Sequence, residues 1–199
     1  MIAGVRNGDA IKLVSRSLGD VSKPCLLMIS GKSSTMNMWR GLPEKIAAAG
    51  FHVIIFDNRD MGQSQRFLIQ EPSAELVKHR EGRPYAFPYT LDDLADDSAQ
   101  VLDHYRISKA HILGASMGGS VAQVFATKFN SRALSLTTIM SSLDINHWAA
   151  KGFETNTDFF MKILAAPPTT PQMSLEEFLE NRLSVWSVLL TDAAHPQGA

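Results

Sequence analysis

The chain has 199 residues, of which 45% are hydrophobic, and this size suits one domain with an ordinary buried core. Its 19 lysines and arginines nearly balance its 20 aspartates and glutamates, which leaves a net charge of -1. Such a balance gives no long-range field that would attract nucleic acid or an anionic membrane. We therefore expect a small, neutral ligand rather than either of those partners.

The first residues lack the apolar segment of a signal peptide, and no apolar stretch approaches the length of a membrane span. The single cysteine, Cys25, lies in an apolar run, where a buried structural thiol is the simplest interpretation. These features favour a cytoplasmic protein. No histidine or cysteine cluster has the spacing of metal ligands, so we expect neither a metal nor a cofactor.

Strand and helix signals alternate along most of the chain. In order, the predicted elements are strands at 2–6, 10–17 and 24–30, a helix at 42–49, a strand at 51–56, a helix from 90 to about 107, a strand at 110–113, a helix from 117 to about 129 and a strand at 134–140. The first two strands flank Asn7-Gly8-Asp9, which predicts an antiparallel hairpin. Thr90 and Asp93 have the spacing of a helix capping box. The later alternation predicts an α/β fold with a mostly parallel sheet and helices on both faces.

Parallel sheets of this kind place their ligands at the carboxyl ends of the strands. We therefore expect the loops after Ile29, Phe56, Leu113 and Met140 to share one rim. The polar connection 57–89 is too long for a tight turn, and we place it on the same side.

The pattern changes at Asp144. Residues 1–143 form the predicted α/β core, whereas residues 144–199 contain several prolines and no further strand signal, and we interpret them as a helical cap region and tail. Several apolar side chains of 144–199 suggest a hydrophobic or aromatic substrate, although they could equally pack the cap itself. They are Phe153, Phe159, Phe160, Met161, Phe178 and Trp186.

A G-x-S-x-G sequence at 114–118 lies directly between the strand at 110–113 and the helix that begins at Met117. Small residues permit the sharp turn that would expose the hydroxyl of Ser116 as a nucleophile. The helix would direct its free N–H groups and positive dipole end at that hydroxyl, so the Met117 N–H is a candidate donor to an oxyanion. The alternative interpretation is that Ser116 is only a helix N-cap.

A second oxyanion donor is expected from the loop after the strand at 24–30, which reads Ser30-Gly31-Lys32. The backbone N–H of Lys32 is our candidate, because Gly31 would allow a close turn at this point. The lysine side chain would have no chemical role.

Three motifs follow one another along the chain in an order that resembles a known family. They are Ser30-Gly31 followed by Trp39, then D-x-R-x-x-G-x-S from Asp57 to Ser64, then G-x-S-M-G-G from Gly114. The chain resembles the α/β-hydrolase superfamily, and most nearly the carboxylesterases similar to aclacinomycin methylesterase, over about residues 10 to 145. The resemblance implies that the segment 57–64 is structural. It also shows a departure, because the family more often has histidine where this chain has Ser30.

The resemblance places the catalytic acid and histidine after the cap, in the order serine, aspartate, histidine. We expect this chain, truncated relative to the family, to end before both. None of its six histidines occupies the family's catalytic position. His195 and Asp144 are the reserve candidates for base and acid, although His195 lies in a tail-like sequence and Asp144 can equally begin a helix.

Two functions remain open at this stage. The first is a serine hydrolase that cleaves a small, hydrophobic carboxylic ester through an acyl-enzyme, with Ser116 as nucleophile. The second is an inactive remnant or binding module that lacks the triad histidine. A sheet that ends at the strand 134–140 would also have an open edge, from which we expect self-association.

Overall fold

The computed structural model describes residues 2–6, 9–67, 78, 81–84, 88–142, 174, 176, 177 and 180. The chain divides into two compact units, Met1–Leu143 and Asp144–Ala199. The first unit contains the sheet and the predicted rim.

The first unit is built on a six-stranded sheet whose order is β1-β2-β4-β3-β5-β6. The strands are β1 (Ile2–Arg6), β2 (Asp9–Leu18), β3 (Cys25–Ile29), β4 (His52–Asp57), β5 (Ala110–Ala115) and β6 (Ala133–Ile139). The first two strands pair antiparallel, and β2 joins β4 antiparallel, whereas β4, β3, β5 and β6 are all parallel to their neighbours. This confirms the predicted hairpin and the mostly parallel sheet.

Helices cover both faces of this sheet. They are α1 (Leu42–Ala48), α2 (Leu91–His104) and α3 (Met117–Lys128), with short 3-10 helices at Met36–Trp39 and Asn130–Arg132. On β3, Leu27 and Ile29 pack with α2 and α3, whereas Leu26 and Met28 pack on the α1 side. Such alternation is expected of a strand buried on both faces.

Cys25 lies at the start of β3 and is buried. Burial raises the pKa of its thiol to about 12, so the group stays protonated and behaves as an apolar core side chain. The interpretation of Cys25 as a structural thiol is confirmed.

The predicted capping box at the start of α2 is also confirmed. Thr90 accepts a hydrogen bond from the Asp93 backbone, and the Asp93 carboxylate accepts one from the Thr90 backbone at 2.7 Å. The helix ends at His104, slightly before the predicted end near Ile107, because Arg106 adopts a left-handed backbone with φ of 58°.

Strand β6 lies at one edge of the described sheet. Its inner side pairs with β5, and the side chains from Leu134 to Ile139 are exposed. Leu134 is 51% exposed and Leu136 is 43% exposed, which is unusual for apolar residues of a parallel strand.

The second unit is described only at four residues. Ser174 and Glu177 form a reciprocal pair in which each backbone N–H donates to the other's side chain, at 2.7 and 3.2 Å. This is the geometry of a capping box. The rest of the predicted cap, 144–199, lies outside the described residues. Within the described ranges, no helix has the length and apolarity required to cross a membrane.

Candidate active site

Ser116 occupies the turn between β5 and α3. Its backbone has φ of 53° and ψ of -125°, a conformation that costs free energy in a residue with a side chain. The turn is fixed because the Ser116 N–H donates to the Ile139 carbonyl at 2.9 Å. The Ser116 side chain is exposed, and its hydroxyl takes part in no hydrogen bond among the described residues. A strained turn thus presents an unpaired hydroxyl to solvent.

Glycines make this turn possible through close backbone contacts. A Cβ at Gly118 would overlap the carbonyl oxygens of Ile29 and Ser30, and a Cβ at Gly114 would overlap the Gly118 carbonyl. The helix α3 therefore begins directly against the end of β3. Gly31 completes the contact from the other side, since a Cβ there would lie 3.3 Å from the Ser116 Cβ.

Residues 31–34 form a turn beside Ser116, closed by the Ser34 N–H donating to the Gly31 carbonyl at 3.3 Å. The Lys32 N–H takes no part in any hydrogen bond among the described residues, and the same holds for the Met117 N–H at the first position of α3. Lys32 follows Gly31, which packs against Ser116, and Met117 follows Ser116 in the chain. The role of these two N–H groups as oxyanion donors stays a prediction.

The 3-10 helix Met36–Trp39 holds this turn, in a stretch that the sequence predicted only as a loop. The Trp39 indole N–H donates to the buried Ser30 hydroxyl at 3.1 Å, and the Gly31 N–H donates to the Met38 sulfur at 3.3 Å. The Asn58 amide donates to the Ser30 carbonyl at 3.0 Å. Ser30, the departure from the family's histidine, is therefore a buried partner of Trp39.

The loop after β4 is held by its own polar groups. The Met36 N–H donates to the Asp57 carboxylate at 2.7 Å, and the Ser64 hydroxyl donates to the Asp57 carbonyl at 2.7 Å. Arg59 and Asp97 are buried and form a bidentate ion pair with distances of 2.5 and 2.8 Å. Burial raises the pKa of the Asp97 carboxyl, against the opposing effect of Arg59. Each of these hydrogen bonds is internal to the protein and holds the loop.

The histidines of the described residues lie at the amino end of the parallel strands. His52 begins β4 and is buried, and His111 lies near the start of β5 with its ring bonded to Ser135. Ser116 lies five positions after His111 along the strand, which corresponds to about 16 Å. His104 is the last residue of α2. The next residue, Tyr105, contacts the His52 ring, so His104 also lies at this end of the sheet. None of these three is placed to take a proton from Ser116.

His79, His147, His195 and Asp144 lie outside the described residues. The reserve acid and base therefore stay predictions. Within the described ranges, no group of three or more His, Cys, Asp or Glu side chains is arranged to hold a metal ion.

Comparison with known proteins identifies the family. The sequence matches the family described as the alpha/beta hydrolase fold over residues 24–187. Rhodomycin D methylesterase DauP of Streptomyces sp. (strain C5) is 30% identical over 197 residues, which include 91% of this chain and 60% of that protein. Rhodomycin D methylesterase DnrP of Streptomyces peucetius gives the same figures. The chain thus spans about 60% of the length of these two relatives.

Solved structures share the fold at lower sequence identity. A hydrolase from Pseudomonas aeruginosa PA01 matches with a TM-score of 0.64 and 22% identity, over 98% of this chain and 63% of that one. A thermophilic esterase from Thermogutta terrifontis matches with a TM-score of 0.58 and 24% identity, over 75% of this chain and 48% of that one. With a parallel sheet, the turn at Ser116 and a family match over most of its length, this chain belongs to the α/β-hydrolase fold family, near enzymes of the methylesterase type.

Proposed function

We propose that this chain carries the nucleophile and oxyanion site of a serine hydrolase that acts on small carboxylic esters. The observation that carries the proposal is the strained backbone of Ser116, which presents an exposed hydroxyl with no protein partner among the described residues. Strain of this kind persists when the surrounding structure enforces it, and it is common at catalytic sites. The names of the relatives, methylesterase and esterase, support an ester as substrate.

The proposed reaction has two steps. The Ser116 oxygen bonds to the carbonyl carbon while a base takes its proton, and the Lys32 and Met117 N–H groups stabilise the resulting oxyanion. The alkoxide leaves with a proton, and an acyl-serine remains. Water then attacks the acyl carbon and releases the carboxylic acid. Each oxyanion donor of this kind contributes on the order of 10²–10³ in rate, chiefly because its position is fixed before the reaction.

The position of the described histidines favours a second candidate function, a binding module without turnover. His52, His104 and His111 all lie away from the Ser116 rim, and a serine hydroxyl without a base is a poor nucleophile. In the enzyme, the family resemblance places the catalytic acid and histidine after the cap. Within this chain His195 and Asp144, which lie outside the described residues, are only reserve candidates for base and acid.

Turnover of p-nitrophenyl butyrate distinguishes the two candidates. We expect wild-type hydrolysis that decreases as the pH falls below about 6.5, where a histidine base becomes protonated. Ser116→Ala should lower kcat on the order of 10⁴-fold or more, whereas Ser22→Ala, which alters an exposed hydroxyl elsewhere, should not. A wild-type chain without turnover at any pH would exclude hydrolysis by this chain, and a fully active Ser116→Ala variant would exclude Ser116 as nucleophile.

A further inference from the structure

Three exposed apolar side chains lie in the segments next to Ser116. Of the seven large hydrophobic residues that are exposed in the described part, these three are Met38 (38% exposed), Ile139 (37%) and Met140 (80%). Exposed apolar residues that cluster beside a candidate site commonly mark the surface that binds a ligand.

The two methionines flank Ser116 on opposite sides. Met38 is linked to it through Gly31, whose N–H donates to the Met38 sulfur at 3.3 Å and at which an added Cβ would lie 3.3 Å from the Ser116 Cβ. Met140 reaches it from β6, because the preceding residue, Ile139, accepts the Ser116 N–H at 2.9 Å. Since β3 and β6 are the two neighbours of β5, the segments that carry the two methionines lie on opposite sides of the Ser116 turn.

The segments around the Ser116 turn contain few charged residues. In 29–34, 114–120 and 136–142, Lys32 is the one charged residue, and Arg40 lies two positions after Met38. Met140 also has a left-handed backbone, with φ of 46°, so an apolar side chain is held in solvent by a strained residue. A surface with few charges and with flexible, polarizable thioethers suits apolar groups of varied shape.

We propose that Met38 and Met140 form an apolar subsite that binds the alkyl or aryl part of the ester cleaved at Ser116. This inference rests on the proposed function. The thioethers contact the apolar part of the substrate, while its carbonyl group lies between them at Ser116. The subsite recognises apolar area rather than a particular hydrogen-bonding pattern, so the affinity for esters increases with the length of their apolar chain.

Binding is measured first without chemistry, in the full Ser116→Ala chain with carbon-13 in its methionine methyl groups. Addition of methyl octanoate should shift the Met38 and Met140 signals, which Met38→Leu and Met140→Leu identify. Methyl acetate, with the same ester group and a short chain, should shift them much less. The signal of Met28, which is buried in the core, should not move. Equal responses to both esters, or none, would overturn the subsite.

Kinetics provides the second measurement. For wild type we expect kcat/KM for p-nitrophenyl octanoate to exceed that for the acetate, and a Met38→Ser, Met140→Ser variant should reduce this ratio by about tenfold. Val21→Ser is the matched control, because Val21 is 73% exposed in the turn before β3, at the other end of the strand. Shifts without turnover would refute the proposed function and keep the subsite. Turnover with an unchanged ratio in the double variant would refute the subsite and keep the function.

Discussion

Two loops on the same rim of the sheet use their polar groups in opposite ways. In the loop after β4, Asp57, Arg59 and Ser64 are buried and bonded within the protein. In the turn after β5, the Ser116 hydroxyl and the Met117 N–H are without partners among the described residues. The first loop is therefore scaffold and the second is the candidate site, although both carry residues with catalytic chemistry.

The difference shows why residue type alone identifies a site poorly. Asp57 ends β4 and Asp60 follows it, at the carboxyl rim where a catalytic acid is expected. The Asp60 carboxylate, however, accepts hydrogen bonds from the Phe67 N–H at 2.6 Å and from the Tyr89 hydroxyl. A group that already forms its hydrogen bonds inside the protein has little left for a substrate. What distinguishes Ser116 is its unused hydroxyl and its backbone strain.

The largest expected effect is on the scaffold loop. Asp97→Asn removes the charge that balances buried Arg59, and we expect the free energy of unfolding to fall by about 3–5 kcal/mol. Urea denaturation measures this. The control is Asp103→Asn, which breaks an exposed pair with Arg132 and should cost less than about 1 kcal/mol. Similar losses in both variants would contradict a structural role for the Arg59–Asp97 pair.

The next largest loss of stability is expected where Gly118 of α3 packs against the end of β3, beneath Ser116. Gly118→Ala places a Cβ against the Ile29 and Ser30 carbonyls, and we expect a loss of about 3 kcal/mol because backbone must move. Gly41→Ala is the matched control, since no atom lies within 4 Å of its added Cβ. A Gly118→Ala chain as stable as wild type would show that α3 does not begin as tightly against β3 as described.

At the opposite end of the sheet, His52 gives a smaller, pH-dependent effect. Its Nε2 lies 2.7 Å from the Ser17 hydroxyl, and burial lowers the pKa of the ring, although the Asp20 charge opposes this. Because the folded pKa is below the unfolded one, the unfolded chain takes up the proton first as the pH falls below about 6.5. Stability should therefore decrease toward acid pH and gain nothing above that pH.

Denaturation midpoints of wild type and His52→Phe across this pH range isolate the effect from other titrating groups. The stability difference between the two should narrow on acidification, because the variant has no proton to take up there. A constant difference would contradict the lowered pKa.

The smallest expected effect concerns the open edge of β6. The stretch 133–142 carries no charged residue, and its outer backbone groups are unpaired within the described sheet, so we expect weak antiparallel pairing of two copies. Sedimentation velocity over a concentration series should show association that Leu136→Lys abolishes. Val21→Lys adds the same charge elsewhere and should leave it intact. A chain that stays monomeric throughout would contradict this expectation.

Much of the architecture follows from local sequence patterns. The apolar run from Cys25 to Ile29 and the capping pair Thr90 and Asp93 each specify an element with their own residues. The meeting of the loop after β3 with the turn at Ser116 follows from strand order, which βαβ alternation predicts.

Contacts between distant residues could not be predicted in this way. Arg59 and Asp97 are 38 positions apart, and nothing in either neighbourhood indicates the partner. The contact of Met38 with the Gly31 N–H depends on a 3-10 helix in a stretch without periodicity. Such interactions depend on packing, which only the folded chain defines.

Covalent labelling tests most directly whether Ser116 is a nucleophile. A fluorophosphonate forms a phosphorus–oxygen bond with an activated serine and loses fluoride, and peptide mass spectrometry locates the adduct. We expect a single adduct on Ser116, lost in Ser116→Ala and retained in Ser22→Ala. An unlabelled chain, or an adduct on another serine, would contradict the assignment of Ser116.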